Sequence, residues 1–316
     1  MIPNSTPAPQ TPTPPKAIPP NRDRLQSRLL VWIVAPLIFM LTVETFTIHI
    51  VRYWSWQPQW QPHYLEVVAI SVVFGALVLL LRAATPAAAT CGAMICFLLT
   101  WHTGWVIRSP LYSALTPLLA LFILTFTATR AGRHKKLGHG IAESHKGRNA
   151  AQVTANLGIA ALLTSQWARN VGFTLNFLSL DVVFLTAVLA ALAEATADTV
   201  SSEIGHAFGT TPIMLTTLRR VPPGTDGAIS LIGTVAGILA ATIVAGVGAW
   251  SMHLHADQFC IALIAGTCGL FFDSLLGATV ERRGYIGNDL VNFTSTAFAA
   301  AFALVALTFG PSFLLN

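Results

Sequence analysis

Acids are scarce in this chain, 13 in 316 residues, so the places where they gather narrow the chemistry. Glu194, Asp198 and Glu203 fall together where an apolar run ends, in ALAEATADTVSSEIGHAFG (191–209). Glu194 and Asp198 are four residues apart and share one face of a helix. A loop punctuated by Gly and Pro follows, with Arg219, Arg220 and the turn PPGTDG (222–227), and a second apolar run starts at Ala228. Carboxylates hold a hard divalent cation, while Arg and backbone N–H groups hold phosphate oxygens. The pattern is that of a site for metal-bound phosphates.

Two more polar groups join it. In GLFFDSLLGATVERRGYIGNDLVN (269–292), Asp273 lies about two turns inside an apolar helix, followed by Asn288, Asp289 and Asn292 at the membrane edge. A carboxylate buried in a span is costly and has little structural reason to exist, which makes Asp273 the strongest single candidate. Asp289 and Asn292 are three apart and can face one ligand. In KGRNAAQVTAN (146–156), Lys146 and Arg148 precede a helix bearing Gln152 and Asn156. A bland reading competes in each place. One acid at a helix end snorkels to water; three acids beside two arginines favour function. Arg130, Arg133, Lys135 and Lys136 read as a plain basic loop against anionic lipid.

These groups need a scaffold, and composition names it. The chain is 54% hydrophobic and 10% charged, with mean hydropathy +0.64, against about 25% charged residues in soluble domains. The fold expected is all-α, a polytopic bundle of transmembrane helices. Nine spans are read: Leu29–Ile50, Leu65–Leu81, Pro86–Val106, Leu111–Thr129, Ala150–Trp167, Phe177–Ala197, Ala228–Trp250, Phe259–Val280 and Leu290–Phe309. With a cytoplasmic N-terminus, fifteen of the 18 Lys and Arg residues fall inside; Arg52, Arg108 and Arg169 fall outside. The net charge of +5 and pI near 9.3 then reflect cytoplasmic loops, and no nucleic-acid partner is expected. Residues 1–28 are expected to form a disordered Pro-rich tail with no cleavable signal peptide, and 29–316 one membrane domain. Trp54, Trp56 and Trp60 suit an interfacial belt. Cys91, Cys96, Cys260 and Cys268 sit in apolar runs without metal-ligand spacing and read as core residues. Glu44 is left as structural, Asp181 as a cap or interfacial residue, and no internal repeat is visible.

The segments KGRNAAQVTAN (146–156), AEATADTVSSEIGHAFG (193–209), TTLRRVPPGTDGAIS (216–230), GLFFDSLLGATVERRG (269–284) and NDLVNFTST (288–296) resemble those of the transmembrane protein 19 family. That family contains the plant phytyl-phosphate kinase of the tocopherol pathway. The resemblance covers roughly residues 70–310. An Asp, a Ser- and Gly-containing stretch and a basic loop opening a helix are also weakly similar to dolichol kinases and phosphatidate cytidylyltransferases, which favours CTP.

What the resemblance implies is phosphoryl transfer from CTP to a prenyl monophosphate. Asp198 and Asp273 would ligate Mg2+, with Glu203 or Asp289 assisting. Lys146, Arg148, Arg219 and Arg220 would clamp phosphates. Gly224, Thr225 and Gly227 would offer backbone N–H groups, and Asn288 and Asn292 would orient metal or ribose. The partners are then an isoprenoid phosphate lipid, a nucleotide and the bilayer, where the prenyl tail would lie between spans. The active site would face the cytoplasm of a cell (inner) membrane. Two other readings stay open: a transporter or channel, and a cytidylyltransferase acting on a lipid phosphate and releasing pyrophosphate.

Overall fold

Helices account for almost all the regular structure, as the apolar runs require, because a chain in hydrocarbon must satisfy its backbone internally. The structure, a computed structural model, describes residues 18–53, 61–104, 109–138, 147–174, 180–209 and 211–309. The belt tryptophans 54, 56 and 60, Arg108, Lys146 and residues 1–17 of the tail lie outside these. Within the described residues run α1 (Pro20–Ile48), α2 (Gln61–Leu80), α3 (Pro86–Thr103), α4 (Leu115–Arg130), α5 (Arg133–Gly138) and α6 (Ala150–Leu163). They continue with α7 (Gln166–Thr174), α8 (Leu180–Phe208), α9 (Leu231–Ser251), α10 (Ala256–Leu276) and α11 (Asn288–Phe309). Two short strands, β1 (Ile213–Met214) and β2 (Ala228–Ile229), pair antiparallel between α8 and α9.

The protein is a polytopic helical membrane protein. Each of the nine expected spans meets a helix among the described residues, but the fifth, Ala150–Trp167, breaks after Leu163 and resumes in α7, and the seventh opens on β2 before α9 begins at Leu231. Six helices, α1, α2 and α8 to α11, are long and apolar enough to cross a membrane. The others, α3, α4 and α6, have 18, 16 and 14 residues. At 1.5 Å per residue, α4 and α6 reach only roughly 24 and 21 Å, short of a hydrocarbon core of about 30 Å.

Helix α8 is the axis. The most apolar window of its span is 83% buried, against 22–44% for the other five candidate spans, and α4, α6, α9, α10 and α11 all pack on it. It also runs further than expected. The sixth expected span ends at Ala197, whereas α8 continues to Phe208. Glu194, Asp198 and Glu203 therefore stand within a helix and not at its end. The helix carries on because these acids face protein: Glu194 is fully buried and Glu203 is paired with a lysine.

Small residues bring α9 against α8. A Cβ added at Gly237 would stand 2.6 Å from the Ala197 carbonyl oxygen, and one at Gly233 3.0 Å from the Gly205 Cα. Such close backbone approach is how membrane helices gain packing energy in lipid. Gly237→Leu is expected to cost about 1–3 kcal/mol by overpacking, read as a lower midpoint of thermal unfolding in nanodiscs. An unchanged midpoint would mean that α8 and α9 are not this close.

The N-terminal stretch departs from expectation too. Residues 20–28 are the first turns of α1, not part of a disordered tail, with Pro at the helix start and Asp23 in the first turn. They are held at the far end of the chain. Gln26 donates to the Tyr285 carbonyl at 2.8 Å and accepts from the Gly287 amide at 2.7 Å, and Ser27 donates to Asp289 at 2.6 Å.

Candidate functional site

The arginine of the first motif is fixed through its backbone. Gly147 has φ +73, and a Cβ there would collide with the Ala83 main chain. That contact lets Arg148 pair with the α2–α3 turn: its N–H donates to Ala83 at 2.9 Å, and its carbonyl accepts from Thr85 at 2.9 Å. Asn149 then caps α6 reciprocally with Gln152. The Arg148 guanidinium crosses to Thr199 on α8, 3.3 Å away, beside Asp198. Gly147→Ala is expected to cost about 1–2 kcal/mol through the left-handed backbone it forces on alanine, read as a lower midpoint of thermal unfolding in nanodiscs. An unchanged midpoint would show that this contact with Ala83 is not made.

The glycine turn is held the same way. Gly227 has φ +72, and an added Cβ would overlap the Ala278 amide. A Cβ on Gly277 would stand 2.7 Å from the Gly227 nitrogen. The turn therefore lies backbone to backbone on the end of α10, where Gly277–Glu281 forms a π-turn. Thr225 closes the turn by donating to the Pro222 carbonyl at 2.7 Å. Ser230 caps α9 by accepting from the Gly233 amide at 3.1 Å.

Between these parts lies a cavity of about 410 Å3. Asp198 and Glu203 of α8, Asp273 of α10, Arg148, Asn288 and Asn292, and the turn residues Gly224, Thr225 and Gly227 all line it. The Asp198 and Asp273 carboxyls are within hydrogen-bonding range of each other. Ser295 donates to Asp273 at 3.1 Å, and the buried Asn292 donates to Asn156 at 3.4 Å. Deeper in α8, the oxygens of Glu194 accept no hydrogen bond of good geometry among the described residues, although Ser295 stands near.

Several expected members are elsewhere. Arg219 and Arg220 are exposed on the β1-side hairpin, where the Arg219 carbonyl accepts from the Met214 amide at 2.9 Å, and neither lines the cavity. Asp289 faces a separate cleft beside α1, held by Ser27. The Glu203 carboxylate is taken by Lys136, whose ammonium is 2.6 Å away. Lys136 also donates to the Ala128 and Thr129 carbonyls at the end of α4, at 3.1 and 2.7 Å, so the plain-loop reading fails for this residue. Glu281, a buried carboxylate on the cavity wall, was not expected. It stands beside Arg282 and Arg283, both exposed, so the sequence carries no signal that sets it apart from a membrane-edge charge.

A divalent cation fits what remains. Two carboxylates this close repel unless a proton or cation lies between them. Among the described residues no three of His, Cys, Asp and Glu gather closely enough to enclose a metal. A pair of carboxylates completed by substrate phosphate oxygens is the mode in which Mg2+ is commonly held.

Comparison with known proteins covers these same motifs. The chain is 28% identical over 193 residues to Protein VTE6, chloroplastic, of Arabidopsis thaliana, which is 60% of this chain and 57% of that protein's length. It is 33% identical over 187 residues to the uncharacterized membrane protein MJ0933 of Methanocaldococcus jannaschii, covering 57% of this chain and 70% of the relative. It is 29% identical over 212 residues to the uncharacterized membrane protein sll0875 of Synechocystis sp., covering 65% and 80%. No solved structure matches. Residues 69–300, the span that holds every described wall of the cavity, match the family model of integral membrane protein DUF92, and the chain belongs to that family.

Proposed function

We propose that this protein is a kinase that transfers a phosphoryl group from CTP to an isoprenoid monophosphate. The observation that carries the reading is the facing pair Asp198 and Asp273, with Arg148 and the Gly224–Gly227 turn on the same cavity. Similarity to VTE6, within the family whose plant member is the phytyl-phosphate kinase, supports a lipid-phosphate substrate.

The acceptor needs no general base, because its second ionisation lies near pKa 6. One of its oxygens attacks the γ-phosphorus of CTP, the bond to the β-phosphate oxygen breaks, and CDP leaves with that electron pair. Most of the catalysis is then positioning and charge neutralisation. Asp198 and Asp273 would hold Mg2+, which when bound offsets charge on the transferring phosphates. Arg148 takes phosphate oxygens, and Gly224, Thr225 and Gly227 line the same cavity just before the N-terminus of α9. Asn288 and Asn292 orient the ribose or the phosphates. The positive-inside pattern supports a cytoplasmic site in a cell membrane.

Purified protein in nanodiscs with Mg2+, CTP and phytyl or farnesyl monophosphate tests this by mass spectrometry of lipid and nucleotide products. Prenyl diphosphate with CDP is expected. A CDP-lipid with pyrophosphate would instead make it a cytidylyltransferase. No product from folded protein with any nucleotide would favour transport.

A further inference from the structure

A second cavity, of about 490 Å3, opens between α2, α3, α4 and α6. It meets the polar cavity at Arg148 and Asn156, which line both. Its character changes along its length. Away from the arginines the walls are Phe74 of α2, Gly92 of α3, Leu121 of α4 and Leu157 of α6. An aromatic row climbs α4 from there: Phe74 to Phe122 at 5.6 Å, then Phe122 to Phe126 at 5.5 Å. The Arg130 guanidinium lies 4.0 Å over Phe126 while donating to the Leu81 carbonyl at 2.7 Å. Arg82, Arg133 and Arg148 complete a basic rim. Arg82 holds φ 52 to close α2, a left-handed conformation that non-glycine residues rarely adopt.

An apolar slot with four arginines at one end fits an amphiphile with an anionic head. The volume is that of a site for one small ligand, in the range of about 300–1,000 Å3. It suits a single branched chain better than the two acyl chains of a phosphatidate. We propose that this cavity holds the isoprenoid chain of the lipid phosphate inside the protein, not in the bilayer between spans, and that Gly92 sets the length accepted. The proposal rests on the kinase reading for the identity of the head group. Arg148 and Asn156 then stand where chain and phosphate meet. The chain lies along Phe126, Phe122 and Phe74, and its terminal units reach Gly92. A side chain there has room at its root, because an added Cβ meets only the Phe74 ring, at 3.8 Å. A larger one fills the slot.

The test is photolabelling of the full chain in nanodiscs with geranylgeranyl phosphate bearing a diazirine on its last isoprene unit, followed by peptide mapping. Label on α2, α3 or α4 at the cavity wall is expected, with competition by phytyl phosphate and none by phosphatidate. Label confined to lipid-facing residues such as Trp32 and Val72, which are 76% and 64% exposed, overturns the proposal. Labelling does not need turnover, so the two readings fail separately. Cavity label without product from any nucleotide defeats the kinase and leaves the chain site standing. Product formation with lipid-facing label does the reverse. Gly92→Leu gives a second readout: kcat/KM for geranylgeranyl phosphate should fall roughly tenfold or more relative to geranyl phosphate, the scale of steric discrimination in an apolar pocket. Equal effects on both lengths would remove Gly92 from the role.

Discussion

Asp273→Asn should abolish phosphoryl transfer while the protein still folds. The substitution keeps the shape of the side chain, and Ser295 still has an oxygen to donate to, as it does to Asp273 at 3.1 Å. What is lost is one of two facing carboxylate charges on the cavity. Removing a ligand of the cation that would neutralise the transition state costs roughly 10³-fold in kcat/KM, or about 4 kcal/mol. Asp198→Asn should behave alike, and the double variant should be scarcely worse than either single one, because the pair acts as a unit. Asp289→Asn is the control. It lies in the same motif region as Asp273, yet its carboxylate faces the cleft beside α1, so turnover within about threefold of wild type is expected, surface changes of this kind being small. Product mass spectrometry and the thermal midpoint of each variant decide it. Near-normal turnover by Asp273→Asn would take that residue out of the site. Equal loss in Asp289→Asn would move the site toward α1.

The same two residues show what the sequence could tell. Asp273 was legible because a lone carboxylate deep in an apolar run has no cheap explanation. Asp198 was legible through its spacing from Glu194, and Gly227 through its turn. The structure brings these with Arg148 and Asn292 onto one cavity, although they come from motifs far apart in the chain. Asp289 and the Arg219–Arg220 pair were misplaced for a common reason. All three sit at helix ends or in loops, where residue type gives the chemistry but not the direction in which the side chain points. A shift of one residue at the start of α11 turns a side chain by about 100°, and the approach of α1 decides which face is covered. The N-terminal turns were missed similarly. Composition could not show that Gln26 would meet Tyr285 and Gly287, 259 and 261 residues away. Whole-chain hydropathy, by contrast, read the helical membrane fold well, since each apolar run had to be a helix whatever its neighbours were.

Lys136 is the residue the sequence hid most completely, and it carries the second large effect. In the sequence it is one of several basic residues in a loop, next to Lys135 and near Arg133. In the fold it is buried, with its ammonium on Glu203 and on two carbonyls of the last turn of α4. Its partner acid is 67 residues distant. Lys136→Met keeps the length of the chain but removes the charge. Glu203 is left beside Asp198 without its cation, and the α4 carbonyls lose their donor. Breaking one side of a buried pair costs about 3–5 kcal/mol. The lower figure is expected here, because Glu203 keeps 13% of its side-chain surface exposed and can recruit water. Adding Glu203→Gln should recover more than half of the loss, since the double variant no longer buries an unpaired charge. Thermal midpoints of wild type, both single variants and the double variant form the cycle. Additive losses would show that the two side chains do not hold each other. Turnover separates the roles further. If Glu203→Gln alone keeps stability but loses transfer as severely as Asp273→Asn, Glu203 leaves Lys136 to serve the cation. If it loses stability and keeps turnover in the folded fraction, the ion pair's work is to pin α5 and the end of α4 against α8, holding the basic rim of the apolar cavity where a phosphate head would enter.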